Sequence, residues 1–385
     1  MFYPLADRFI AVTCLLGYAH MHPTGALPYQ LLAQAMEAGY IKNAKTEHLQ
    51  PSSIDLSLSD ECFEVRGSAL PAIGESVAQM AEKHAIRRHD LGDPLRRGAV
   101  YLVRLNETLA LPEEFHARAS NKSSSGRINL RGRLLADGVS LFDDVPAGYR
   151  GSLWIELIPM SFAIRVHPGD RINQLRVFSG SAELGRAEHR LAYDRFHLVR
   201  SLDGHIVPAD QAVRHRGISM TIDLATHEII GWRAKAMNEN VLDTKKYDHP
   251  VEDFFVPVSR MNNHTCNIRP GEFYIFATKE KILIPPEYAA EMLAYDASKG
   301  EFRSHFAGFF DPGWGWRDDA EKRGAIGVLE IEAYSHEFIL RDGQPICMMT
   351  YEHLIAPPEK HYGSDLSSNY HMQEGPRLAK WFKTM

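Results

Sequence analysis

The chain resembles itself. Trp154-Ile155-Glu156-Leu157 aligns with Val328-Leu329-Glu330-Ile331, and at the same offset His167-Pro168-Gly169-Asp170 aligns with Arg341-Asp342-Gly343-Gln344. Leu111-Pro112-Glu113-Glu114-Phe115 resembles Ile284-Pro285-Pro286-Glu287-Tyr288, and Ser52-Ser53-Ile54-Asp55-Leu56 has a partner in Met220-Thr221-Ile222-Asp223-Leu224. Ordered matches near one offset mark a duplicated unit, so the fold must be two copies of one architecture. Short β-type runs punctuated by Gly, Pro and Asp fill both copies, and helical periodicity is rare. That pattern predicts a mainly β protein built as sandwiches or barrels. The exception is residues 27–39, apolar at helical spacing with a Gly stop, which reads as a short N-terminal helix. The expected division is 1–26, a poorly ordered leader; 27–180, copy one; 181–211, a polar connection; and 212–385, copy two. Only copy two ends in a Ser/Asn/Gly-rich tail, residues 362–376. Within the leader, residues 9–19 follow Arg8 as a short apolar run that faintly imitates a signal peptide, although an extended start explains them as well.

Composition narrows the function class. With 385 residues the chain is long enough for two cores, and 44% hydrophobic and 24% charged content is that of a soluble protein. A formal charge of -6 argues against a general nucleic-acid binder. Residues 115–136 are the local exception: they hold no acid, while Arg118, Lys122, Arg127, Arg131 and Arg133 crowd together. This is a solvated basic face or a site for a polyanion. Four scattered cysteines without a C-x-x-C pair suggest a reducing, cytoplasmic setting and no structural zinc. No apolar run approaches a membrane span.

Three stretches carry chemistry. Residues 306–334 read as a strand, an Asp311-Pro312-Gly313 turn, a polar loop and a second strand. Alternation puts Ile326, Val328 and Glu330 on one face, so Glu330 sits at a wet strand end or is held among aliphatics for a purpose. The loop Lys122-Ser123-Ser124-Ser125-Gly126-Arg127 offers hydroxyls and two cations suited to a phosphate chain, though Ser/Gly clusters are commonly plain loops. Gln174 beside a Gly-Asp turn could add a neutral donor. Asp55 could hold Mg²⁺ through water, or be a polar strand-start residue. The copies have diverged in complementary ways: copy two has an acid, Glu301, near the position of Arg127, and Met348 in place of Gln174.

Together Gln50-Pro51-Ser52-Ser53-Ile54-Asp55-Leu56, the Ser-Ser-x-x-Arg loop, residues 169–175, AGFFDPGW from Ala307 to Trp314, VLEIE, and Tyr370-His371-Met372-Gln373-Glu374-Gly375-Pro376 resemble the dCTP deaminase and dUTPase superfamily. The dCTP deaminase branch fits better, as a duplicated two-domain form. The resemblance implies tandem distorted jelly-roll or β-barrel domains (dUTPase-like, β-clip) and nucleotide sites at subunit interfaces. It also implies Mg²⁺ on the triphosphate and a C-terminal tail that folds over it. By resemblance the catalytic glutamate is Glu330, with Glu156 its copy-one counterpart. The zinc deaminases carry H-x-E and P-C-x-x-C elements, which are absent here, so the expected deamination needs no zinc at the base. Neither copy holds the full set, which predicts a composite site. Lys122, Ser123, Ser124, Arg127 and Gln174 would hold phosphates, while Ala307, Asp311, Trp314 and Glu330 would hold and attack the base. Tyr370 and Gln373 would close over, although Asn369 stands where a lysine is common in the family. Expected partners are dCTP or dUTP, with dTTP as a family inhibitor, and neither nucleic acid nor membrane. Three chains supplying six domains is the expected assembly. The alternatives are a dUTP pyrophosphatase, a bifunctional enzyme, or a silent nucleotide-binding regulator.

Overall fold

A computed structural model describes residues 23–214, 217–235, 239–293, 300, 302–304, 308–363, 366 and 370–383. Ala307, Asn369 and most of the copy-two loop around Gly300 lie outside the described residues, as does the leader before residue 23. Gly25 and Ala26, assigned from sequence to the leader, pair with Ser179 and Phe178 and so belong to the sheet.

Copy one contains α1 (Tyr29–Glu37), β1 (Ile54–Val65), β2 (Val100–Ala110), β3 (Phe115–Asn121), α2 (Ser123–Gly126), β4 (Leu130–Ala136), β5 (Arg150–Pro159) and β6 (Arg171–Ser179). The strands run antiparallel in the order β4-β5-β2-β1-β6-β3. Asn121 Nδ2 donates to the Leu130 carbonyl (3.0 Å), tying the two end strands so that the sheet nearly closes on itself. A further helix over Val77–His84, which no strong apolar period announced, is set by a Ser76/Gln79 capping box.

Copy two repeats the plan with β7 (Gly217–Thr221), β8 (Ile229–Ala234), β9 (Phe273–Ile282), β10 (Tyr288–Leu293), β11 (Phe309–Phe310), β12 (Ala325–Ala333) and β13 (Pro345–His353). Here the sheet has opened into two, β8-β9-β12 and β7-β13-β10-β11, joined by an Ile222–Thr278 bridge. One buried detail recurs in both copies. Glu107 accepts from Ser57 N (2.9 Å) and Oγ (2.7 Å), and Glu280 accepts from Thr221 N (2.9 Å) and Oγ1 (2.5 Å).

That motif and the ladders correct one sequence match. Asp55 faces Gln174 in one ladder, and Ser219 faces Met348 in the other. The counterpart of Asp55 is therefore Ser219, four residues before Asp223. A slip of four preserves the inward/outward alternation of a strand, so the pattern of faces could not reveal it. Asp223 instead accepts from the N–H groups of Ala225 and Thr226 and closes a turn.

The expected polar connection is also more than a linker. Residues 186–196 form α3 (Arg186–Phe196), which buries His189, Ala192 and Tyr193, and Val199–Ser201 adds a strand to β9. In return copy two sends a segment into copy one. Val241–Asp243 pairs in parallel with Ala163–Arg165, and Phe254 packs edge-on against Phe162 with ring centres 4.9 Å apart. Phe254, Phe255, Trp381 and Phe382 thereby join the copy-one core.

The basic stretch of residues 115–136 does not form one face. Arg118 turns toward copy two and reaches Glu352 and Glu291, the latter at 3.3 Å. Lys122 and Arg127 turn into a cavity, while Arg131 and Arg133 meet Glu332 and Asp143. Strand alternation and the bend at α2 deal these charges to three separate places.

Phe254 contacts rings from both copies and the C-terminus, so Phe254→Ala is expected to cost about 3–5 kcal/mol. A urea titration should show a matching fall in the unfolding midpoint.

Candidate active site

A polar cavity of about 560 Å³ lies between the copies and beneath the C-terminal segment. Copy one lines it with Asp55 from the start of β1, with Lys122, Ser123, Ser124 and Arg127 around α2, and with Gln174 from β6. Copy two contributes Asp311, Trp314, Glu330, Tyr370 and Gln373. Every described residue expected at the composite site is therefore present except one. Glu156 does not line the cavity. It is buried on β5, where Ser68 hydrogen-bonds to it and Arg131 and Arg133 lie nearby; burial pushes its carboxyl above the ordinary range.

The glutamate of β12 is buried, which removes the wet-end reading. Its backbone faces Ile275 of β9, and its N–H donates to the Ser304 carbonyl (3.2 Å). The carboxylate meets α2 at Gly126. A Cβ added there would stand 2.3 and 2.4 Å from the Glu330 oxygens, inside any tolerable contact. Only glycine lets the Ser/Arg loop and the glutamate approach this closely.

Arg127 is buried, and burial lowers its pKa while Tyr370 and Glu330 oppose that effect. The guanidinium stacks on the Tyr370 ring at 3.8 Å, and Nη1 donates to the Arg377 carbonyl (2.9 Å). Its Nε has no hydrogen-bond partner among the described residues. Asp55 Oδ1 and Gln373 Oε1 are likewise buried without one. Polar atoms so placed are normally satisfied, so an orphan donor and two orphan acceptors around one cavity point to a polar ligand. The other oxygen of Asp55 pairs with Lys122 and, at 3.4 Å, with Arg171.

The Asp311 turn is fixed from several sides. Ser52 Oγ and Ser53 Oγ donate to its carboxylate (3.0 and 3.4 Å), and the Pro312 carbonyl accepts from Tyr362 N (2.9 Å). Gly313 takes φ +91°, as a Pro-Gly turn requires. Trp314 packs edge-on against Phe310, with ring centres 4.9 Å apart.

The described residues of the tail border the cavity. Tyr370 Oη hydrogen-bonds Ser124 Oγ (2.7 Å) and accepts from Lys380 N (3.2 Å), while Gln373 Nε2 donates to the Ile326 carbonyl (2.7 Å). Sequence reasoning missed Thr244, Tyr247, Lys380 and Trp381, which also line the space. Trp381 Nε1 donates to the Thr244 carbonyl (2.8 Å), joining the inserted segment to the C-terminus. Arg171 lay inside a motif already singled out, but its pairing with Asp55 needed the ladder.

Among the described residues no three His, Cys, Asp or Glu side chains are grouped to hold a metal ion, and no helix is long and apolar enough to cross a membrane.

Family models of the 2'-deoxycytidine 5'-triphosphate deaminase N-terminal and C-terminal domains match residues 23–181 and 193–382. A solved structure of 2'-deoxycytidine 5'-triphosphate deaminase from Agrobacterium tumefaciens superposes with a TM-score of 0.79 at 35% identity, covering 88% of this chain and 100% of that one. The chain belongs to the dCTP deaminase family. A Thermobifida fusca "dCTP deaminase, dUMP-forming" is 33% identical over 158 residues, 39% of this chain and 76% of its own. A Natronomonas pharaonis "dCTP deaminase" is 28% identical over 116 residues, 29% of this chain and 55% of its own. The cavity is lined by residues of both copies of the chain.

Removing the Tyr370 hydroxyl breaks one of the links between tail and Ser/Arg loop, its hydrogen bond to Ser124. Tyr370→Phe is expected to weaken that closure by about 1 kcal/mol. Amide hydrogen exchange across residues 370–382 should then quicken by roughly fivefold.

Proposed function

We propose that this chain hydrolyses dCTP to dUTP and ammonia, with Glu330 as the group that moves protons. The observation that carries the reading is the placement of Glu330 from copy two against the Ser/Arg loop of copy one, in one polar cavity. A triphosphate lying on Lys122, Ser123, Ser124, Arg127 and Gln174 would satisfy the orphan Arg127 Nε and direct the base toward β12. Asp311 would accept from the nucleoside, and Trp314 would wall its site.

At the base, Glu330 takes a proton from water as the water oxygen bonds to C4 of cytosine. Glu330 passes that proton to N3, giving a neutral tetrahedral adduct. It then takes the proton of the C4 hydroxyl and delivers it to the departing amino group, the C4–N bond breaks, and ammonia leaves as the C4 carbonyl forms. General acid–base catalysis of this kind contributes about 10²–10⁴ in rate. Positioning by the phosphate site supplies the rest, because it makes the attack effectively unimolecular.

Mg²⁺ fits this donor set as an ion carried on the nucleotide. The orphan Asp55 Oδ1 could accept from a water of its hydration shell, and the ion would neutralise phosphate charge. The product would serve the synthesis of dTTP precursors in the cytoplasm, and a trimer of chains with dTTP as inhibitor remains the expected arrangement.

A second reading, deamination followed by loss of pyrophosphate, is favoured by the dUMP-forming relatives. Chromatography of the products from dCTP and Mg²⁺ separates the two. Accumulation of dUTP with ammonia supports deamination alone, dUMP with pyrophosphate supports the bifunctional reading, and pyrophosphate from dUTP without ammonia from dCTP supports a pyrophosphatase. Binding of nucleotide with no product supports a regulator.

Glu330→Gln is expected to lower ammonia release by at least ~10²-fold while nucleotide binding survives in calorimetry. Unchanged release would remove Glu330 from the role. Gly126→Ala, which drives a methyl group into the same carboxylate, should lower kcat in the same assay with little change in dCTP affinity. Glu156→Gln should leave the rate near that of the wild type.

A further inference from the structure

We infer that Arg176, a copy-one residue outside the cavity, is a positioning residue that holds the Phe310–Asp311 turn of copy two where the nucleotide meets it. The inference rests on the deaminase reading above. Arg176 is fully buried on β6. Its Nη2 donates to the Phe310 carbonyl (3.2 Å) and faces Asp311 Oδ1 at 3.5 Å. Its Nη1 donates to Glu352 Oε2 (2.5 Å) and to the Ala290 carbonyl (3.3 Å), and the guanidinium lies over the Phe309 ring at 4.2 Å. One side chain thus grips the backbone, carboxylate and aromatic ring of a three-residue stretch that lines the cavity. A rigid planar fork with several donors can do this, and an ammonium cannot.

The clamp exists on one side of the duplication. Arg118 faces Arg176 in the copy-one ladder, and Glu291 faces Thr350 at the matching place in copy two. Copy two therefore returns no arginine to the corresponding turn of copy one. That asymmetry follows the site itself, since Gln174 is matched by Met348 and Asp55 by Ser219.

The charges around Asp311 give Arg176 a readable effect. Burial raises the Asp311 carboxyl above its ordinary range; Arg176 and the Ser52 hydroxyl oppose this, Asp55 adds to it, and Lys122 opposes it. Beyond Arg176 stand Glu352, Glu291 and Arg118. Without Arg176 the carboxyl would hold its proton to higher pH. It would then be a poorer acceptor at neutrality, and recover only as pH rises.

The test is the pH dependence of ammonia release from dCTP, measured alongside thermal unfolding. Arg176→Met paired with Glu352→Gln avoids stranding a buried charge. It is expected to lower kcat/KM at pH 7 about tenfold or more, and to move the acid limb upward by about one pH unit or more. Arg176→Lys should return part of both. Ser52→Ala/Ser53→Ala, which removes the other donors to Asp311 without opening the Arg176 pocket, should move the same limb less far. If both sets melt earlier yet keep the wild-type limb and kcat/KM, Arg176 is only structural and the inference is overturned. A wild type that releases no ammonia would instead overturn the deaminase reading, and this inference with it.

Discussion

The two copies are held in register by a buried arginine against a buried glutamate, Arg176 on Glu352. Both side chains are wholly removed from solvent, so either alone would be a severe liability. Arg118 meets Glu352 from the other side and also touches Glu291. By ladder position Arg118 and Glu291 are counterparts, and they touch each other. Two identical copies would place arginine on arginine there, or glutamate on glutamate. Opposite charges at matching positions therefore favour the pairing of unlike halves, which is the pairing a composite cavity needs.

Complementary loss in the two copies follows from that arrangement. Once the halves pair in a fixed sense, each has one set of residues facing the live cavity and another facing elsewhere. Ser219, Thr350 and Met348 occupy positions where copy one keeps Asp55, Arg176 and Gln174. Glu156 has the same strand position as Glu330 but lies among Ser68, Arg131 and Arg133. It is buried there and does not line the cavity. The same residue type at the same place in one fold thus has two fates, decided by what the other half brings to it.

Much of the site was legible because its chemistry is local in sequence. The Ser/Arg loop, the Asp-Pro-Gly turn, the VLEIE strand and the tail each carry a turn signal or an alternation, and their joint order carries the family resemblance. What escaped were features whose cause lies in the other copy. Arg176 sits in Gln174-Leu175-Arg176-Val177-Phe178, where alternation alone gives a charge on a strand and no hint that a carboxylate awaits it. The Asp55 match slipped because an even shift leaves a strand's faces unchanged. Thr244 and Tyr247 fall in none of the sequence matches between the copies, so sliding the chain over itself could not place them. α3 went unseen because a stripe of His189, Ala192 and Tyr193 is a weak apolar signal.

The cavity's cations already have partners. Lys122 and Arg171 share Asp55, and Arg127 rests on the Tyr370 ring with one nitrogen on a tail carbonyl. Lys380 is pushed below its ordinary range by burial, with Lys122 and Arg171 adding to the effect. Such a set is tense without a counter-charge, because burial and mutual repulsion both act on it. A phosphate chain would relieve the repulsion and strengthen each contact that the tail already makes. Arg127 touches tail, loop and cavity at once, so a bound phosphate chain would be felt by residues 370–382 through it.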